Sequence, residues 1–109
     1  MLINNDLSIK ILQMDSNSAN HIASVFRTEL YDFVLTGYPL ADSFVYGYVR
    51  CVNLIFEALS DNIDLRENAI REINTIDLHS YYNYSCKSKF NAGFSKGIED
   101  FKALLDRKH

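Results

Sequence analysis

From residue 42 to residue 59 apolar side chains recur around most of a helical circumference. At about 100° per residue, Phe44, Val45, Tyr48, Val49, Cys51, Val52, Ile55, Phe56 and Leu59 fill one broad arc, and Gly47, Leu54 and Ala58 widen it. Tyr46, Arg50, Asn53 and Glu57 are left on a narrow polar stripe. A helix with so wide an apolar surface must be covered on several sides. The pattern therefore predicts a central helix at about 42–59 inside an all-α bundle of four or five helices. Its polar stripe is then a solvent window or a polar groove.

The flanking patterns supply the other helices. Leu7, Ile11 and Met14 share a helical face and predict a short helix from about Asp6. Leu7, Ile9 and Ile11 also alternate as a strand would, but no second segment offers it a partner. Asp15, Ser16, Asn17 and Ser18 are cap chemistry. They precede a stripe of Ala19, Ile22, Val25, Phe26, Leu30, Phe33 and Val34, which predicts a helix over 18–35 closed by Thr36 and Gly37. Pro39 suits the first turn of the next helix. Asp64, with Glu67 three residues on, resembles a capping box before Leu65, Ala69, Ile70 and Ile73. A last helix over about 78–107, with a bend near Ser85, follows from Cys86, Phe90, Gly93, Phe94, Gly97, Ile98, Phe101, Leu104 and Leu105. Glycine inside a helix costs about 1 kcal/mol relative to alanine. Two on the buried face are expected to let another helix approach closely, with Gly47 the candidate partner.

Composition narrows the class. The chain has 109 residues, long enough for one core, and a single helical domain over 1–109 is expected. An apolar fraction of 48% with 23% charged residues excludes wholesale disorder, while one Pro and four Gly are too few for many tight turns. No apolar run reaches the roughly 18 residues of a membrane span, and residues 1–10 lack a basic, signal-like start. Two cysteines, Cys51 and Cys86, fall on apolar faces and read as reduced core thiols, so a cytoplasmic protein is expected. Frequent Asn, Ile, Lys and Tyr suit an AT-rich genome such as a phage or mobile element.

Charge is unevenly spread. Residues 57–77 carry Glu57, Asp61, Asp64, Glu67, Glu72 and Asp77 against Arg66 and Arg71. Residues 87–108 carry Lys87, Lys89, Lys96, Lys102, Arg107 and Lys108 against Glu99, Asp100 and Asp106. Mutual neutralisation within the fold is weighed slightly ahead of a role in orienting a charged partner.

Catalytic chemistry finds little support. His21, His79 and His109 have no ligand spacing, so no metal and no cofactor are expected. No Ser or Cys lies in a nucleophile elbow, and Gly93 with Gly97 lacks any phosphate-loop context. Glu29 interrupts an apolar stripe. An ion pair or hydrogen bond with Arg50 or a tyrosine hydroxyl is favoured there over a functional acid. A helix-turn-helix drawn over 65–87 is weak, because its second helix begins beside an acidic region.

The strongest candidate surface is the tyrosine cluster 81–84 with the bases that follow. On a helix Tyr81 and Tyr84 project outward, and tyrosine is enriched at interface hot spots. With Lys87, Lys89, Lys96 and Arg107 they form the candidate partner-binding set; Tyr46, Arg50, Asn53 and Glu57 are the candidate polar groove. No family motif is recognised. In size and class alone the chain is like small helical immunity, antitoxin or phage inhibitor proteins. The expected function is non-enzymatic: a module that neutralises a partner protein by occluding its surface. The alternative is a nucleic-acid-binding regulator using the basic ridge. Self-association is left open, and no membrane contact is expected.

Overall fold

The computed structural model describes residues 2–31, 43–75 and 87–107, and every regular element among them is helical. Helix α1 spans Asn5–Leu12 and α2 spans Ser16–Val25, continuing without a break into a π-helical segment, Phe26–Tyr31. Helices α3, α4 and α5 span Ser43–Ala58, Ile63–Thr75 and Lys87–Asp106. The all-α bundle expected from the apolar periodicity is therefore found, with α3 at its centre. The expected Thr36–Gly37 stop, the Pro39 start and the bend near Ser85 lie outside the described residues.

Local chemistry sets the helix starts. Asn4 Oδ1 accepts the Leu7 amide at 2.9 Å to cap α1, and Asp15 Oδ1 accepts the Ser18 amide at 2.7 Å to cap α2. Residues 5–12 are thus helix, not strand. Helix α4 departs from expectation: its cap is Asn62, whose Oδ1 receives the Asp64 and Leu65 amides at 2.9 and 3.3 Å, so Asp64 lies inside the first turn. Placing the start earlier does not bury Leu65, which stays 45% exposed.

Helix α3 buries Val45, Gly47, Tyr48, Cys51, Val52, Leu54, Ile55 and Ala58, as its wide apolar arc requires. It packs along α5 on one side and α4 on another. The seam with α5 is built from glycine. A Cβ on Gly47 would overlap the Phe90 carbonyl oxygen and lie 2.8 Å from its carbon. A Cβ on Gly93 would overlap the Phe44 carbonyl oxygen in the same way. The two backbones thus touch where side chains would hold them apart, as the glycine spacing predicts. Around this seam Phe90, Phe94, Ile98, Phe101, Leu104 and Leu105 are all buried.

Phe26 closes the core from the α2 side. Its ring meets Phe56 and Phe101 edge-on, with centroids 6.2 and 6.4 Å away, and lies 6.4 Å from Tyr48. The adjoining Arg27 guanidinium sits 4.9 Å over the Phe56 ring. The π turn then changes the register. Bonds closed at i→i+5 widen the turn, so residues after Phe26 fall behind the α-helical spacing. Glu29, expected among the apolar side chains, is instead exposed.

Two polar clasps hold the N-terminal segment. Asn74 on α4 accepts the Ile3 amide and donates to the Ile3 carbonyl, both at 2.7 Å. Arg66, only 4% exposed, occupies the inward position that the hydrophobic pattern gives to Leu65. Its Nε donates to the Ser60 carbonyl at 2.5 Å, and its NH1 to the Ile11 and Met14 carbonyls at 3.0 and 2.6 Å. These carbonyls belong to the ends of α3 and α1, where chain oxygens lack helical partners and the helix dipoles favour a cation.

Candidate partner-binding surface

Position along α5 follows from helical spacing. Lys89 and Lys96 are seven residues apart, close to two whole turns, so they share one edge of the helix, and Arg107 follows just past its last residue, Asp106. All three are exposed. Lys87 begins α5, and its side chain lies outside the described residues, as do Tyr81 and Tyr84. The basic half of the candidate surface is thus a line beside the α3–α5 seam.

The line is interrupted by acids. Lys96 Nζ donates to Asp100 Oδ1 at 3.1 Å, one turn on. Arg107 NH1 donates to Glu29 Oε2 at 2.8 Å, joining the end of α5 to the π segment. Glu29 therefore does have a cationic partner, but it is Arg107; Arg50 pairs instead with Glu72 of α4. Both members of the Glu29–Arg107 pair are about half exposed, so it is worth at most about 1 kcal/mol. In these pairs the acidic run 57–77 is matched to α3, and the basic run to α5 and the π segment. Neither run neutralises the other through them.

Asp100 also accepts the Tyr48 hydroxyl at 2.9 Å through Oδ2. Tyr48 is fully buried, and burial, with the neighbouring carboxylate, pushes its hydroxyl pKa far above the ordinary 10.0. It stays protonated and serves as a donor. Cys51, one turn along α3, is likewise pushed up by burial, so the thiol is a core group and not a nucleophile. The Tyr48–Asp100–Lys96 chain runs from core to surface. A sequence stripe cannot show it, because Tyr48 reads simply as apolar.

Tyr46, Asn53 and Glu57 face solvent and Arg50 is partly covered, which makes the polar stripe of α3 its outer window. Two concavities lie elsewhere, at the C-terminal end of α5. One, about 290 Å³, is lined by Asn4, Asp6, Leu7, Lys10, Lys102, Leu105 and Asp106. The other, about 250 Å³, has Met14, Ile22 and Leu105 as its apolar floor and Lys10 and Arg107 at its edge. Lys10 divides them, its ammonium 3.3 Å from the Leu105 carbonyl. Lys10 carries no sequence signal for this place, since only the docking of α1 on α5 creates it.

Among the described residues no group of three or more His, Cys, Asp or Glu side chains could hold a metal ion, and no helix is long and apolar enough to cross a membrane. No protein-family model, no curated protein and no solved structure matches the chain.

Proposed function

We propose that the chain is a small non-enzymatic protein-binding module that neutralises a partner by covering part of its surface, in the manner of phage anti-defence, antitoxin or immunity proteins. The observation that carries this is the exposed pair Lys89 and Lys96 along one edge of α5, with the exposed Arg107 just past its end, on a helix whose opposite face is consumed by packing. Such a line offers long-range attraction to an acidic partner while the rigid seam behind it limits the ordering cost of binding. Tyr81 and Tyr84 supply the apolar contact that charge alone does not.

The test is affinity capture from a lysate of the native host, with the captured protein identified by mass spectrometry and then purified. Reversing Lys89, Lys96 and Arg107 to glutamate, or replacing Tyr81 and Tyr84 by alanine, should each abolish capture with the circular dichroism unchanged. Undiminished binding by both variants would refute the surface. Affinity for DNA or RNA that falls steeply with salt would favour the regulator instead.

A further inference from the structure

The start of α4 is unusual in what it leaves outside. Arg66 takes the inward position, and Ile63 and Leu65 remain 49% and 45% exposed. Around them Asp61, Asp64 and Glu67 are all exposed. Two large aliphatic side chains in an acidic frame thus project with about half of their surface left uncovered by the described residues.

The cleft of about 250 Å³ beside α5 has the opposite character. Its floor is Met14, Ile22 and Leu105, and the charged residues lining it are Lys10 and Arg107, with no carboxylate among the described residues that line it. It has room for a branched aliphatic side chain, and its edge attracts acids. Arg107 is held by Glu29 in an exposed pair, which an incoming carboxylate could exchange at little cost.

Projection and cleft also lie at the same end of the molecule. The Arg66 guanidinium, between Ile63 and Leu65 on one side and Glu67 on the other in the chain, bonds the Met14 carbonyl at 2.6 Å, and Met14 is a wall of the cleft. Surfaces that are complementary and adjacent can be joined by a two-fold axis, each copy giving its projection to the other's cleft.

We propose that this chain pairs with a second copy of itself in this way: the Ile63–Leu65 turn of each copy enters the Lys10–Arg107 cleft of the other, with Asp61 and Asp64 against the two cations. The contact is small, so pairing is concentration-dependent and weakened by salt. It goes beyond the proposed capture of a foreign partner; the two share Arg107, but pairing is read on the purified chain alone and through Lys10, Ile63 and Leu65, so its failure is distinguishable from a failure of capture.

Sedimentation equilibrium of the purified chain, up to about 1 mM, tests it. The expected result is a monomer–dimer equilibrium that shifts to monomer as salt is raised. Lys10→Glu alone and Asp61→Lys with Asp64→Lys alone should each be monomeric with unchanged circular dichroism. Their equimolar mixture should pair more strongly than either variant alone, because one cleft–projection contact is native and in the other K10E faces the introduced lysines. Ile63→Ser with Leu65→Ser should abolish pairing regardless of salt. A strictly monomeric wild type, charge-swapped variants that pair like wild type, a mixture that stays monomeric, or growth beyond dimer would each overturn the proposal.

Discussion

Alanine at Gly93 sets two opposed effects against each other. In an isolated helix the change is favourable by about 1 kcal/mol, because glycine loses more backbone freedom on ordering. In this fold the added Cβ would overlap the Phe44 carbonyl oxygen, lying 2.8 Å from its carbon and 3.0 Å from the Tyr48 nitrogen. These are backbone atoms and cannot rotate aside. Restoring ordinary contact with that oxygen moves α5 outward by roughly 1 Å or more, and a gap of about 1 Å forfeits about half of each dispersion contact across it. Phe90, Phe94 and Tyr48 all flank the seam, so a rigid separation would cost several kcal/mol. Relaxation reduces such overpacking to about 1–3 kcal/mol. From about 3 kcal/mol at the upper end of that range, as two backbones in contact require, less the helix gain of about 1 kcal/mol, the net expectation is a destabilisation of about 2 kcal/mol and a melting temperature lower by roughly 8–16 °C. Urea unfolding followed by far-ultraviolet circular dichroism measures it. Ala92→Gly, on the exposed face of α5, is the control for the intrinsic helix preference and should lose about 1 kcal/mol. Gly47→Ala opens the same seam, so the double variant should cost less than the sum of the singles. A Gly93→Ala protein as stable as wild type, or more so, would refute close backbone packing of α3 on α5.

Arg66→Ala removes the donor shared by three carbonyls and should cost about 2–4 kcal/mol in the same assay, with Arg66→Lys retaining part of that because an ammonium cannot span the set; a loss below about 0.5 kcal/mol would make the clasp unimportant. Tyr48 and Cys51 both have pKa values raised by burial, so their contribution is complete below the unfolded-chain values of 10.0 and 9.0 and is lost as pH rises above them. Stability should therefore fall from about pH 9 upward, and Tyr48→Phe should lessen the part of the fall above pH 10; an equally steep alkaline loss in that variant would contradict the assignment. At the acid end Asp15, held below its ordinary 3.8 chiefly by the Ser18 amide, contributes above that pH and loses its contribution as pH falls through its lowered value. Asp15→Asn should flatten that limb while keeping α2 capped; an unchanged acid limb would count against it.

Much of the architecture was legible because burial and helical period coincide. The arc of α3, the stripe of α5 and the glycine contact between them all follow from which residues recur on one face. Failures arose where a side chain is more than its hydropathy. Arg66 counts as polar, yet its guanidinium is drawn inward by helix-end carbonyls from two separate elements, which displaces Leu65 to the surface. Glu29 was misplaced because the 100° spacing assumes an α-helix, and the π turn after Val25 breaks that assumption. Of the candidate surface, the alignment of Lys89 with Lys96 could be read from their separation, with Arg107 the base that follows the helix. Their partners Asp100 and Glu29, and the cleft at Lys10, depend on tertiary contacts between segments distant in the chain.

The enclosure of α3 is most directly tested by native-state hydrogen exchange. The amides of Cys51, Val52, Leu54 and Ile55 should exchange only through global unfolding, with an opening free energy equal to that from urea and lowered equally by Gly93→Ala. Exchange of those amides through local openings several kcal/mol below the global value, untouched by Gly93→Ala, would contradict a bundle built around this helix.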